Sequence, residues 1–304
     1  MPRRAATGTG DLSTKPWSIP SMCRLFGLLA SPAIPAEPWL VTTDRSLLAQ
    51  SHPDEKYAQR DGWGIGWYGT TRTPKIDKGI GGAFEVTERE HYLTAAKRAK
   101  GPVVVGHLRH ASNLMDLPRE RLIALENSQP FSFGSYLYAH NGSISFPRET
   151  RPLLGKFEEQ VIGVNDSEVL FYLFVRHLEE LGDPVGAYSR VVQDLTNVWE
   201  EEGRPATGPY SGLNVIFTRG PNELWAFCHW KGEHGSRLLD PTRPYYEMTY
   251  WADTKHVVIG SEPFDQATAW RTIPNGTFLY AHAAHGLVAV KSGEIPKAAG
   301  PRTP

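Results

Sequence analysis

Cysteine is scarce in this chain: only 2 occur among its 304 residues, Cys23 and Cys228. That excludes a disulfide-stapled secreted scaffold and favours a reducing, cytoplasmic setting. An excess of charge of one sign is missing too, since 32 Lys and Arg stand against 33 Asp and Glu, a formal net charge of -1. Neither a polyanion nor an anionic bilayer is attracted to the chain as a whole, so nucleic acid and membrane are not expected partners. Apolar stretches such as Val103-Val104-Val105 fall far short of the roughly 18 residues a membrane span needs. What is present is material for a core. Hydrophobic residues make up 40%, with 12 Tyr, 12 Phe and 9 Trp, which predicts a folded globular protein.

Composition divides the chain into three. Residues 1–22 are rich in Pro, Gly, Ser, Thr and Arg, lack an apolar signal segment, and are expected to be a disordered extension or a removed leader. Residues 23–295 read as one domain, and the Lys/Gly/Pro-rich residues 296–304 as a flexible tail. Strands are predicted at Cys23–Ala30, Gly64–Tyr68, Val103–Leu108, Tyr136–His140, Leu213–Thr218, Leu224–His229, His256–Gly260 and Thr277–Ala281. Helices are predicted at Glu88–Lys100, closed by Gly101-Pro102, and at Ser167–Leu181 and Pro184–Glu202. Asn165 is the expected N-cap of the second helix, with Glu168 completing a capping box. Strands and helices do not alternate one for one, which predicts an α+β class rather than a doubly wound parallel sheet.

Four local patterns could carry chemistry. Cys23 follows Met22; were translation to begin at Met22, removal of that methionine would leave a thiol and a free α-amine on one residue, a nucleophile with its own base. A small buried core cysteine is the plain alternative. Gly106-His107-Leu108-Arg109-His110 ends an apolar strand in an arginine, whose planar fork suits a substrate carboxylate, a surface ion pair being the alternative. His107 and His110 point different ways on a strand end, so no metal site is expected. His140-Asn141-Gly142 reads either as a tight turn or as an oxyanion hole built from the Asn141 side chain and the Gly142 N–H. Asp166, beside the helix cap, either complements the helix dipole or faces a cleft to bind an ammonium group. With Arg109 it would match the two charged ends of a free amino acid.

Taken together, Met22-Cys23-Arg24-Leu25-Phe26-Gly27, Asp61-Gly62-Trp63-Gly64, Gly106-His107-Leu108-Arg109, His140-Asn141-Gly142 and Asn165-Asp166-Ser167-Glu168 resemble class II glutamine amidotransferases in order and spacing, with the likeness extending toward Ser261-Glu262-Pro263. The resemblance implies the N-terminal-nucleophile hydrolase fold, a four-layer αββα sandwich. It implies Cys23 as nucleophile with its α-amine as base, Asn141 and Gly142 as the oxyanion hole, and Arg109, Asp166 and His110 in substrate binding. No metal or organic cofactor is implied. The expected ligand is glutamine or another γ-glutamyl small molecule. The outcome is hydrolysis of a γ-glutamyl conjugate or supply of ammonia to a separate synthase subunit; a non-catalytic γ-glutamyl-binding module is the non-enzymatic alternative. While residues 1–22 remain attached, the nitrogen of Cys23 is an amide, so the full-length chain is expected to be inactive. Aromatics in Trp63–Tyr68 and Tyr245–Trp251 are candidates for lining a pocket larger than glutamine requires, with core packing as the alternative.

Overall fold

Alternation of apolar side chains along the central strands builds the protein, because both faces of those strands are buried. In β1 (Arg24–Pro35), Leu25 and Leu29 lie on one face and Phe26, Leu28 and Ala30 on the other. A strand apolar on both faces must sit between two packed layers. The computed structural model describes residues 23–113, 116–205, 208–266 and 269–297; the expected extension at residues 1–22 and most of the expected tail lie outside them.

The strands after β1 are β2 (Trp63–Trp67), β3 (Lys75–Gly79), β4 (Lys100–Leu108), β5 (Phe131–Phe133), β6 (Tyr136–Ile144) and β7 (Tyr210–Thr218). Then follow β8 (Glu223–Cys228), β9 (Met248–Ala252), β10 (His256–Gly260), β11 (Arg271–Ile273), β12 (Thr277–Ala284) and β13 (Leu287–Glu294). They make a 7-stranded sheet, β11-β9-β10-β1-β4-β2-β3, and a 6-stranded sheet, β13-β12-β8-β7-β6-β5, with antiparallel neighbours throughout. Leu25, Val103, Val105 and Ile259 of the first sheet pack against Leu137, Ile216, Ala226 and Leu279 of the second. Truncating a side chain such as Ile216 to alanine there costs about 2–5 kcal/mol.

The outer faces carry helices. Val86–Arg98 buries Tyr92, Ala95 and Ala96 against Trp63, Ile65 and Val104 of the first sheet. Asp166–Leu181 and Pro184–Glu201 cover the second, where Phe174, Leu178 and Tyr188 meet Val215, Phe217 and Phe227. Helix, sheet, sheet and helix are the four layers expected.

Three local expectations need correction. The first long helix ends at Arg98, and Gly101-Pro102, read as its stop, belongs to β4. Proline is tolerated there because the β1–β4 pairing is irregular between Leu29 and Ile34, and a side chain on Gly101 would strike the Tyr68 carbonyl. Asn141-Gly142 makes no turn: β6 continues through both residues, with its register against β7 shifting between Gly142 and Ile144. The capping box does not form. The Asn165 side chain accepts the Ser167 N–H, but the Glu168 carboxylate accepts from Ile162 and Gly163.

Candidate active site

Strand register brings the first two site residues together. Arg24 of β1 pairs with Leu108 of β4, and Leu108 also pairs with Trp63 of β2. Cys23, Arg109 and the Asp61-Gly62 segment therefore emerge at the same end of three adjacent strands. One cleft is lined by Cys23, Arg109, His110, Gly142 and Asp166. Asn141 is the residue before Gly142 and is fully buried.

The thiol of Cys23 lies against the main chain of His110: Sγ donates to the His110 carbonyl at 3.6 Å, and the His110 N–H approaches Sγ at 3.5 Å. An amide N–H aimed at sulfur favours the thiolate. The His110 ring is turned to the Ala58 carbonyl, with Nδ1 at 3.4 Å. Thus the His110 backbone engages the sulfur.

Arg109 is nearly fully buried, and its Nη1 donates to the carbonyls of Asp61 at 3.0 Å and Leu122 at 2.9 Å. These bonds fix the plane of the guanidinium. Its Nε and Nη2 donors have no hydrogen-bond partner among the described residues, and they form the edge that a carboxylate can engage. Burial pulls the Arg109 pKa below its ordinary value, against the opposing charges of Cys23, Asp61 and Asp166.

Asp166 receives the Ile144 N–H at 3.0 Å on one carboxylate oxygen and the Ser167 N–H at 2.9 Å on the other. Each oxygen keeps a lone pair for an ammonium group. Desolvation raises its pKa to about 6, although these hydrogen bonds and the Arg109 charge pull the other way. Arg109 and Asp166 thus present opposite charges to one cleft.

Asn141 has an uneven set of partners. Its Oδ1 faces the Tyr245 hydroxyl at 3.4 Å, while Nδ2 is buried with no hydrogen-bond partner among the described residues. An orphaned buried N–H donor is costly in a resting protein and useful where an oxygen becomes negative during a reaction. At Gly142 φ is +149°, and an added Cβ would lie 1.9 Å from the Gly212 carbonyl oxygen. Only glycine fits the bulge, so contact with β7, rather than room for a ligand, fixes the residue type.

His140 holds the region from behind. The Gly212 carbonyl can only accept, so the Nε2 facing it at 3.0 Å carries the proton and Nδ1 accepts from Ser167 Oγ at 2.8 Å. Burial lowers its pKa to about 4, keeping the ring neutral. The ring thereby joins the Gly142 bulge, β7 and the helix carrying Asp166.

Sequence reasoning missed Tyr245, Arg24 and Glu262 as neighbours of Cys23. Arg24 is fully buried, donates to the Cys23 carbonyl at 2.9 Å and pairs with Glu262 at 3.4 Å. A fully buried arginine one residue from Cys23 would have required long-range pairing to foresee. The aromatic segments do not line the cleft. Trp63, Trp67 and Tyr68 are core residues, and Tyr245 and Tyr246 are buried with Tyr57, Trp230 and Leu238 around them. No group of three or more His, Cys, Asp and Glu that could hold a metal ion occurs among the described residues, and no helix there is long and apolar enough to cross a membrane.

Residues 22–302 match the family model of class II glutamine amidotransferases. The chain belongs to that family. This class II amidotransferase is 25% identical over 281 residues to the γ-glutamyl-hercynylcysteine sulfoxide hydrolase of Mycolicibacterium smegmatis, covering 88% of this chain and 99% of that protein. It is 27% identical over 180 residues to a probable glutamine amidotransferase of Saccharomyces cerevisiae, covering 54% of this chain and 48% of that one. Among solved structures, a glutamine aminotransferase class-II domain protein from Silicibacter pomeroyi superposes with a TM-score of 0.59 at 19% identity, over 88% of this chain and 98% of that one. The glutamine phosphoribosylpyrophosphate amidotransferase from B. subtilis superposes at 0.53 with 17% identity, over 90% and 49%. These two likenesses bear on the fold, which is that of the amidotransferase domain.

Proposed function

We propose that this amidotransferase hydrolyses the γ-amide of a γ-glutamyl compound through a thioester on Cys23. The observation that carries the reading is the meeting in one cleft of the Cys23 thiol with Arg109 and Asp166, backed by the orphaned Nδ2 of Asn141. Arg109 holds the α-carboxylate of the substrate and Asp166 its α-ammonium. The glutamyl side chain then extends toward the sulfur. The α-amine of a processed Cys23 takes the thiol proton, and the thiolate forms a C–S bond to the amide carbon. The carbonyl oxygen becomes an oxyanion, bonded by the Asn141 Nδ2–H and the Gly142 N–H. As the C–N bond breaks, the Cys23 ammonium returns its proton to the departing amine. The Cys23 α-amine then deprotonates a water, whose oxygen bonds to the thioester carbon; the C–S bond breaks, glutamate is released and the ammonium returns its proton to the sulfur.

Similarity to a γ-glutamyl hydrolase over 99% of that protein's length favours conjugate hydrolysis over ammonia delivery to a partner synthase. The test is a panel of γ-glutamyl amines, γ-glutamyl peptides and glutamine offered to protein starting at Cys23, with glutamate release and acyl-enzyme mass followed in wild type and Cys23→Ala. The expected result is faster turnover of a conjugate than of glutamine, with the thioester mass absent from the alanine variant. Preference for glutamine would assign ammonia supply. Binding without turnover in wild type would leave only a γ-glutamyl-binding module.

A further inference from the structure

Tyr245 contacts the nucleophile and the oxyanion hole with one oxygen. Its Oη lies 3.1 Å from the Cys23 carbonyl oxygen and 3.4 Å from Asn141 Oδ1. Both neighbours are acceptors, and the hydroxyl has a single proton to give. Burial drives the Tyr245 pKa far up, so the proton stays on the phenol. The ring is fixed edge-on against Tyr246 at 4.7 Å and carries the Arg24 guanidinium over its face at 4.9 Å.

The two acceptors are not equally dependent on that proton. The Cys23 carbonyl also receives Arg24 Nη1 at 2.9 Å, so it stays satisfied when the tyrosine turns away. Oδ1 of Asn141 has Tyr245 Oη as its one hydrogen-bond partner among the described residues. When Nδ2–H donates to an oxyanion, electron density in the amide moves onto Oδ1, which becomes a better acceptor. A donor at Oδ1 in turn makes Nδ2–H a better donor, since linked hydrogen bonds polarise one another.

We propose that Tyr245 is a positioning residue of the oxyanion hole: its hydroxyl proton leans on the Cys23 carbonyl in the resting enzyme and passes to Asn141 Oδ1 as the tetrahedral oxyanion forms. The interaction strengthens only in the transition state, so its loss lowers kcat and leaves KM alone. The inference rests on the reading of Cys23 and Asn141 given above, and it adds a residue from the segment before β9 to a site otherwise built from Cys23, Arg109, Asn141, Gly142 and Asp166.

The test uses protein starting at Cys23 and the best substrate of the γ-glutamyl panel. Tyr245→Phe removes one oxygen and keeps the ring. Its kcat falls roughly tenfold with KM within twofold of wild type. In an Asn141→Ala background the same change costs nothing further, because the tyrosine acts through the amide. Alkylation of Cys23 by iodoacetamide, which generates no oxyanion, keeps its wild-type rate in Tyr245→Phe, whereas a general disturbance of the site would slow it. The inference is overturned if Tyr245→Phe keeps full kcat, if it raises KM instead, if its tenfold loss persists in the Asn141→Ala background, or if alkylation slows equally. Should Tyr245→Phe not fold, 3-fluorotyrosine at 245 keeps the shape with a more acidic hydroxyl; kcat at or above wild type supports the inference, and a lower kcat overturns it. Wild-type protein that forms no thioester with any compound overturns the functional reading itself, and the inference with it, whereas wild-type turnover beside an unaffected Tyr245→Phe overturns the inference alone.

Discussion

Asp61 and Arg109 are joined by two hydrogen bonds: the Asp61 N–H donates to the Arg109 carbonyl at 3.2 Å, and Arg109 Nη1 donates to the Asp61 carbonyl at 3.0 Å. The Asp61 carboxylate accepts the Ala111 N–H at 2.8 Å and pairs with Arg119 at 3.0 Å. The Asp-Gly-Trp-Gly segment is therefore a brace for the guanidinium. A lysine at 109 keeps a charge but cannot hold two carbonyls while presenting a flat pair of donors. Arg109→Lys is expected to raise KM roughly tenfold to a hundredfold, the worth of a charge-assisted hydrogen bond, with a smaller effect on kcat. Steady-state kinetics on one γ-glutamyl substrate checks it, and an unchanged KM would remove Arg109 from substrate binding.

Gly142 and Gly134 both have positive φ but different surroundings. A Cβ at Gly142 would lie 1.9 Å from the Gly212 oxygen, while nothing lies within 4 Å of one at Gly134. Gly142→Ala is expected to destabilise the fold by more than about 3 kcal/mol, against about 1–2 kcal/mol for Gly134→Ala, which bears only the left-handed backbone penalty. Urea midpoints of the two variants give the comparison. Similar midpoints would mean that β7 yields easily at the bulge.

The framework was legible in the sequence where periodicity is strong. The helices containing Leu173 and Tyr188 begin and end within a residue of their expected bounds, because Asn165, Gly182, Asp183 and Pro184 punctuate them. Polar or short strands such as Lys75–Gly79 and Leu287–Glu294 escaped notice, since they lie at sheet edges and alternate weakly. Within the site, residues on local motifs could be named in advance, and the cleft brings Cys23, Arg109, Gly142 and Asp166 together. Their supports could not. Tyr245 lies 222 residues from Cys23 along the chain, and the bonds of Glu262 to Leu238 and Leu239 arise from packing that no local pattern reports.

The raised pKa of Asp166, about 6, sets the sign of a pH effect. Below that value the carboxyl is neutral and loses the attraction for a substrate ammonium that the proposed mechanism gives it. For free enzyme, the fall in kcat/KM is expected to steepen by about a further tenfold per unit as pH drops below about 6. A bound ammonium favours the carboxylate, so the matching limb in kcat moves to lower pH. Asp166→Asn is expected to remove this additional fall and leave, at a low rate, only the pH dependence set by the Cys23 α-amine. A desamino γ-glutamyl analogue should not show the additional fall in wild type; an identical fall with that analogue would assign it to another group.

Two buried histidines make folding sensitive to acid. Burial lowers His140 to about 4 and His107 to about 3 from an ordinary value of 6.5. The unfolded chain takes up protons near 6.5 that the native state refuses, so their contribution to stability is complete above that pH and is lost as pH falls toward 4 and then 3. The urea midpoint is expected to drop between pH 7 and pH 4.5, and His107→Leu to lose less over the same interval than wild type. Equal losses would show that His107 takes no part.

The proposed mechanism depends on the nitrogen of Cys23. An amide nitrogen has no basic lone pair, whereas a free α-amine has a pKa of about 8 and can take the thiol proton directly or through one water. Arg24 and Tyr245 fix the carbonyl side of this residue, so freeing the nitrogen leaves those anchors in place. Protein whose first residue is Cys23 is therefore expected to turn over γ-glutamyl substrate, and protein retaining residues 1–22 to bind it without turnover. Intact-mass measurement of the active fraction from the native host should give a chain beginning at Cys23, by translation from Met22 or by removal of the preceding segment. An active fraction that still carries Met1 would require a different base for the thiol. Among the described residues the first candidate would be His110, although its Nδ1 is turned to Ala58.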